Sequence, residues 1–142
     1  MTYKQDDWEK ARRRLATARQ LYLNYQNDDK ATRTTDELDT AILNCWSFGE
    51  YAINVVLECS KIRTVQDHSQ PNEAKALFKD GTLAQDYSET MDRLERFRKK
   101  ASHLGYTKDR STHYSSADLD RCLTHMEALL LEVEGLLKKS PP

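Results

Sequence analysis

The chain has 142 residues and a formal net charge of −1; 32% of its residues are charged, 38% are hydrophobic, and only four are Gly and three Pro. This length suits one domain with a single core, and the composition favours amphipathic helices over turn-rich β folds. The near-zero charge excludes a molecule that binds nucleic acid through its overall charge, so any such role needs a local basic patch. The opening residues MTYKQDD contain no apolar signal-peptide segment, and no run approaches the roughly 18 apolar residues of a membrane span. We therefore expect a cytoplasmic protein that does not enter the membrane.

Two long amphipathic helices are predicted in the first half of the chain. Apolar residues recur at three- and four-residue steps between about residues 6 and 25, which predicts the first helix. The segment Thr34–Glu37 has the capping-box pattern, and the second helix is expected to run from there to about residue 61. Its wide apolar stripe indicates a helix that is central to the fold or shared with a partner. Gly49 in its middle predicts the close approach of another helix, because Gly costs about 1 kcal/mol relative to Ala in a helix.

A short helix and a third long one are predicted next. The short helix covers about residues 72–79, and Gly81 is the candidate for its left-handed C′ position. The long helix covers about residues 83–103, where apolar residues again recur at three- and four-residue steps. Gly105 is its expected stop.

The last predicted helix begins with a serine cap at Ser115 or Ser116 and carries a leucine-rich stripe to about residue 137. Four long helices with short connections, one of which contains a short helix, predict an all-α, up-and-down antiparallel helical bundle. We expect a single domain over residues 1–142, with a core from about 6 to 138 and a tail at 139–142.

The remaining sequence signals argue against cofactor chemistry. The three cysteines, Cys45, Cys59 and Cys122, form no CxxC pair and are expected to be free thiols in the core. The sequence contains no glycine-rich phosphate loop, no HExxH and no ExxH, and its four histidines lack metal-ligand spacing. We therefore expect neither a metal nor an organic cofactor.

An arginine and a histidine at the end of the predicted third long helix form the candidate catalytic pair, Arg98 and His103. Five residues correspond to about 140° of helix rotation, so the two side chains diverge on a regular helix. Gly105, however, places His103 in the last turn, where the chain leaves the helix. A second RxxxxH string, Arg63–His68, is the weaker candidate because it lies in a polar connection after the second helix.

The pair lies within a basic stretch. Between residues 93 and 110 seven basic residues stand against two acidic ones, a local charge of +5. Such a patch can attract a polyanion even on a neutral molecule. Besides Arg98, the candidate RNA-binding residues are Arg93, Arg96, Lys99, Lys100, Lys108 and Arg110.

These residue types suit RNA cleavage without a metal. Histidine can transfer protons at neutral pH, and arginine offers a two-pronged donor to phosphate oxygens. A base activates the ribose 2′-OH, an acid protonates the departing 5′-oxygen, and a cation stabilises the charged phosphorane. One histidine cannot easily be both acid and base in one step, so a homodimer that places two such pairs in one cleft is expected.

The pattern resembles the HEPN (higher eukaryotes and prokaryotes nucleotide-binding) superfamily. The resemblance rests on a capped central helix containing Ser47-Phe48-Gly49-Glu50-Tyr51-Ala52, a helix that ends in RxxxxH, and a final amphipathic helix. It implies an all-α homodimer and, in active members, metal-independent RNA cleavage at the dimer interface, in toxin–antitoxin pairs or anti-viral defence. By this resemblance Arg98 and His103 are catalytic and Glu50 supports the site. Ser102 and Tyr106, which lie beside the pair in the sequence, are the other candidate supporting residues.

The resemblance also implies partners: RNA, a second copy of the chain, and an antitoxin that can be a nucleotidyltransferase. Two positions depart from the family pattern. Lys99 stands where a small polar residue is common, and Tyr106 lies three residues after the histidine instead of two. The alternative is therefore a catalytically inactive HEPN-like module that binds a partner protein or a nucleotide. A structural bundle of an unrelated family is the third interpretation.

Overall fold

The computed structural model describes residues 5–29, 36–61, 67–103 and 115–139, and within these ranges it contains five helices and no strand. The prediction of an all-α, up-and-down bundle of four long helices plus a short connecting helix is confirmed. The helices are α1 (Gln5–Asn27), α2 (Asp36–Lys61), α3 (Gln70–Lys79), α4 (Ser88–His103) and α5 (Ser116–Lys139). Thr34 of the predicted capping box and Gly105 lie outside the described residues.

Helix α2 lies at the centre of the bundle and packs against each of the other four helices. Its fully buried side chains follow the predicted three- and four-residue steps, and the largest are Ile42, Phe48, Ile53 and Leu57. Each such side chain contributes about 1.5–3 kcal/mol to folding when it leaves water. Because one face of α2 is occupied by this core, its opposite polar face is left for other contacts.

Gly49 allows two methionines to approach the α2 backbone, as its position in the stripe predicts. A Cβ atom at this position would lie 3.2 Å from the Met126 sulfur of α5 and 3.7 Å from the terminal carbon of Met91 on α4. A Cβ here would require the Met126 side chain to shift by a few tenths of an ångström, whereas Met91 would be at ordinary contact distance. The glycine therefore leaves room for the Met126 sulfur against the α2 backbone.

The predicted start of the third long helix at residue 83 is wrong, because α4 begins at Ser88. The preceding segment folds back on α3, where the backbone N–H of Leu83 donates to the Leu77 carbonyl at 3.1 Å. Asp86 then accepts from the Ser88 backbone N–H at 2.9 Å and starts the new helix. Leu83 and Tyr87 are buried as expected, but as residues of an irregular segment. Helical spacing alone could not distinguish these two arrangements.

Two predicted helix ends are confirmed, the glycine after α3 and the serine cap of α5. Gly81 has a φ of 84° and follows α3 in the left-handed conformation. Helix α3 begins at Gln70, two residues before its predicted start, because its first turn accommodates Pro71, which has no N–H to satisfy. At the start of α5 the Asp118 backbone N–H donates to Ser115 Oγ at 3.2 Å, while the Ser115 N–H donates to the Asp118 carboxylate at 2.9 Å.

The cysteines are free, as expected, and two of them are fully packed. Cys45 and Cys122 are buried, whereas Cys59 is partly exposed. Burial raises the pKa of the Cys122 thiol to about 11 and raises the pKa of Cys45 well above its ordinary value. Neither thiol is therefore a ready nucleophile at neutral pH. Among the described helices, none is both long and apolar enough to cross a membrane.

Candidate functional site

A polar cleft lies on the outer face of α2, where α1 and the segment before α3 come closest to it. Trp46, Glu50 and Asn54 are spaced four residues apart on α2, so their side chains lie on one face. The cavity they line has a volume of about 280 Å³. Its lining residues are Arg14, Trp46, Ser47, Glu50, Tyr51, Asn54, His68 and Gln70.

Arg98, the predicted catalytic arginine, borders this cleft from α4. Its guanidinium carbon lies 4.3 Å from the centroid of the Trp46 ring, and its Nη2 and Nε donate to the Glu95 carboxylate at 2.7 and 3.3 Å. The hydrogen bonds that Arg98 donates to Glu95 raise the pKa of Arg98, and the negative charge of Glu50 raises it further. The same contact lowers the pKa of Glu95. Arg98 is therefore a positive charge held by a carboxylate and placed over an aromatic ring.

Glu50, the predicted supporting residue, lies in the cleft and interacts electrostatically with Arg98. Its side chain is only 15% exposed. Burial raises the pKa of Glu50, while His68 and Arg98 act in the opposite direction. The structure thus brings together two of the residues selected from the sequence, one from α2 and one from α4.

His68 lies in the cleft, although the sequence had made the Arg63–His68 string only the weaker candidate pair. Its Nδ1 lies 2.8 and 3.1 Å from the two Glu50 carboxylate oxygens, and its ring centroid is 5.6 Å from that of Trp46. Its φ of 62° is left-handed, a conformation that costs a residue other than Gly about 1–3 kcal/mol. The contacts with Glu50 and Trp46 help to offset this strain. The only sequence signal for His68 is the second RxxxxH string, whose Arg63 lies outside the described residues.

Six of the other predicted site residues have side chains that lie outside the described part of the chain. The side chains of Lys100, Ser102 and His103 lie outside the described residues, as do Tyr106, Lys108 and Arg110 in full.

The described residues of the predicted RNA-binding patch do not all lie on the face of α4 that carries Arg98. Arg93 pairs with Glu89 at 3.3 Å, and its charge acts on Cys122 of α5, on the other side of α4 from the cleft. Lys99 lies 4.0 Å from the Glu95 carboxylate, next to Arg98, and Arg96 is exposed. Of the predicted patch, Lys99 is thus the described residue nearest to the cleft arginine.

A second histidine cluster lies between the start of α4 and α5. His125 Nε2 donates to Gln85 Oε1 at 3.2 Å, so the neutral ring accepts at Nδ1 from the Thr90 hydroxyl, 2.6 Å away. Its ring centroid lies 4.4 Å from that of Tyr87, whose hydroxyl donates to Glu132. Burial lowers the pKa of His125. Both ring nitrogens are therefore engaged within the protein.

The described side chains offer no group of three His, Cys, Asp or Glu that converges on a metal position. At the cleft, Glu50 and His68 are groups that can exchange protons, and Arg14 and Arg98 are cations that can bind an anion. Comparisons of the chain with protein-family models, with curated proteins and with solved structures found no match.

Proposed function

We propose that the chain is a metal-independent RNA endonuclease of HEPN type that acts as a homodimer in the cytoplasm, in a toxin–antitoxin or anti-viral defence setting. The observation that carries this proposal is the position of Arg98 at the edge of a polar cleft, with its charge coupled to Glu50. The resemblance selected this arginine from α4 and this carboxylate from α2. Their proximity is what a shared site requires.

In this proposal Arg98 binds the scissile phosphodiester and stabilises the charge that develops on it. A guanidinium can donate two parallel hydrogen bonds to phosphate oxygens. Arg98 donates to Glu95, so a phosphate must compete with that carboxylate for the guanidinium. The Trp46 ring beneath it keeps the guanidinium plane in place while partners change.

His103 transfers protons in the same reaction. The second proton-transfer group comes from a second copy of the chain in the homodimer, which brings two Arg98–His103 pairs to one cleft. The antitoxin expected from the resemblance would be a protein or a nucleotidyltransferase that blocks this cleft or modifies the toxin.

Cleavage of RNA in the presence of EDTA tests the proposal. The purified wild type should release fragments that end in a 2′,3′-cyclic phosphate. Arg98→Ala and His103→Ala should each lower the rate by at least 10²-fold, because each removes one element of charge or proton transfer. If both variants retain full activity, the site assignment is wrong.

Arg12→Ala is a matched control for the loss of an arginine. Arg12 also holds a carboxylate, Glu134, at 2.9 Å, but it lies between α1 and α5 and its side chain is 47% exposed. Its loss should leave cleavage within about twofold, since exposed ion pairs contribute little. Growth arrest on expression of the wild type but not of His103→Ala would support the toxin setting, and an adjacent nucleotidyltransferase gene would support the antitoxin.

A second candidate function is the inactive HEPN-like module that binds a partner protein or a nucleotide. The specific observation in its favour is that Arg98 is already held by Glu95 and Trp46, as a structural arginine would be. In that case His103→Ala leaves function intact. Charge reversal at Lys99 and Lys100, or a polar substitution of the exposed α2 residue Leu43, then abolishes partner binding.

A further inference from the structure

The cleft contains a second proton-transfer group within the same chain as Arg98. The Trp46 ring centroid lies 4.3 Å from the Arg98 guanidinium carbon and 5.6 Å from the His68 ring centroid, so the two groups are at most about 10 Å apart. They come from α4 and from the segment before α3, and both contact Trp46 of α2. One indole thus positions both a cation and an imidazole at the same cleft.

The orientation of His68 leaves one ring nitrogen for chemistry. An ionised carboxylate only accepts hydrogen bonds, so the Glu50 contact keeps the proton on Nδ1 and the lone pair on Nε2. Within the described part of the chain, no hydrogen-bond partner approaches Nε2. The His68 side chain is 56% exposed, whereas that of Glu50 is 15% exposed. The carboxylate is therefore the fixed partner, and the imidazole is the group presented to solvent.

The cleft also carries the charge that a phosphodiester needs. Arg14 of α1 lines it and donates to Ser47 Oγ at 2.7 Å, and Arg98 borders it from α4. The cavity volume of about 280 Å³ lies at the lower end of ligand pockets, which span roughly 300–1,000 Å³. Such a space suits the sugar and phosphate of one nucleotide better than a larger organic molecule.

We infer that His68, oriented by Glu50, is the general base of the RNA-cleaving site and acts in the same protomer as Arg98. This inference rests on the proposed RNA cleavage and changes one part of it: the second proton-transfer group is His68 of the same chain and not a histidine of the second copy. The substrate it implies is a ribose whose 2′-OH lies next to a phosphodiester held by Arg98 and Arg14. Glu50 is the positioning residue, since it touches His68 and not the reacting atoms.

The step balances without a metal or a redox partner. His68 Nε2 takes the proton of the 2′-OH, the 2′-oxygen forms a bond to phosphorus, and the bond from phosphorus to the 5′-oxygen breaks. The 5′-oxygen takes a proton from His103, which is the acid. The products are a 2′,3′-cyclic phosphate and a 5′-OH. Glu50 stabilises the imidazolium formed on His68, and exchange with water restores both histidines.

The most informative variant is His68→Gly. Glycine adopts the left-handed backbone of this position without strain. The variant therefore loses the imidazole and also loses the backbone strain at this position. We expect single-turnover cleavage of an oligoribonucleotide in EDTA to fall by 10²–10⁴-fold, with RNA affinity within about threefold. Free imidazole added to His68→Gly should restore part of the rate. Glu50→Gln should lower kcat by about 10–100-fold with little change in KM.

Two controls distinguish the loss of a general base from the loss of a general acid and from a general effect on folding. His125→Gln removes a histidine whose two nitrogens are already engaged, and it should cleave like the wild type. A substrate with sulfur in place of the 5′-bridging oxygen has a leaving group that needs no proton. This substrate should restore the rate of His103→Ala and should not restore that of His68→Gly.

Each outcome has one meaning. A wild type that leaves RNA intact overturns the proposed function and this inference with it. An active wild type whose His68→Gly variant cleaves within about threefold overturns the inference alone. Rescue of His68→Gly by the sulfur substrate would also overturn it, because His68 would then be an acid.

Discussion

Two clusters near the opposite ends of helix α4 each contain a histidine next to an aromatic ring. They differ in how many nitrogens of the histidine ring have hydrogen-bond partners. Near its start, His125 contacts Thr90, Gln85 and the Tyr87 ring, all within hydrogen-bonding or stacking distance. Near its end, Arg98 borders the cleft in which His68 meets Glu50.

The difference lies in the second nitrogen of each ring. Both nitrogens of His125 have protein partners, and burial lowers its pKa, so it is held neutral as part of the packing. His68 has a carboxylate on Nδ1, an Nε2 without a hydrogen-bond partner among the described residues, and a left-handed backbone. A satisfied histidine contributes to stability, whereas a histidine oriented on one side only is available for a ligand. The two clusters should therefore respond oppositely to mutation.

The largest stability effect is expected at Glu132, which holds the α4–α5 cluster together. Its carboxylate accepts from the Tyr87 hydroxyl and from the Ala84 backbone N–H at 2.7 Å. Glu132→Ala leaves the buried Tyr87 hydroxyl without this partner, at a cost of about 1–3 kcal/mol. Urea denaturation followed by circular dichroism should show this loss in the free energy of unfolding.

Glu134→Ala is the matched control on the same helix. Glu134 pairs with Arg12 at 2.9 Å, and the two side chains are 30% and 47% exposed. Its loss should cost about 0.2–1 kcal/mol, as for exposed ion pairs in general. Equal losses for the two substitutions would contradict the view that the α4–α5 cluster is structural.

An intermediate effect is expected from the protonation of His125. Because its pKa is lowered in the folded state, the unfolded chain binds a proton more readily below the ordinary value of about 6.5. Stability linked to His125 is therefore fully present above that value and is lost as the pH falls through the lowered folded pKa. After allowance for solvent screening, the loss should be less than about 1 kcal/mol.

The measurement is the free energy of unfolding at pH 7.5 and at pH 5.5, for the wild type and for His125→Gln. The variant should show a shallower decline, since the other titrating groups are common to both proteins. A decline as steep as that of the wild type would mean that His125 does not carry this pH dependence.

The sequence predicted the helices correctly wherever the period of the apolar residues matched the residues that are buried in the fold. The apolar stripe of α2, the glycine that admits Met126 and the serine cap of α5 were all predictable from local spacing. The start of α4 was not, because Leu83 and Tyr87 match a helical period by position while Asp86 caps a later start. Spacing identifies which residues are buried better than it identifies the backbone that buries them.

The candidate site was predictable only in part. Arg98 and Glu50 were selected by the resemblance, and the structure places them at one cleft. His68 could not be selected with the same weight, because its approach to Glu50 depends on a left-handed residue just before α3 and on the packing of that segment against α2. No periodic pattern contains that information.

The smallest and most diagnostic stability effect is expected within the cleft itself, from two glutamates whose pKa values are shifted in opposite directions. Burial raises the pKa of Glu50, so at neutral pH its ionised form is slightly unfavourable in the folded state. The hydrogen bond with Arg98 lowers the pKa of Glu95, so that ionised carboxylate contributes stability above the unfolded value of about 4.3 and loses it as the pH falls. With solvent screening included, Glu95→Gln should cost about 0.2–1 kcal/mol, and Glu50→Gln should change stability by no more than about 0.5 kcal/mol in either direction. Both values come from urea denaturation at pH 7.5.

A cost for Glu50→Gln larger than that for Glu95→Gln would make Glu50 a structural residue like Glu132. A neutral Glu50→Gln that folds normally but cleaves RNA slowly would instead identify a carboxylate kept in the cleft at no benefit to stability, as a positioning role for His68 requires.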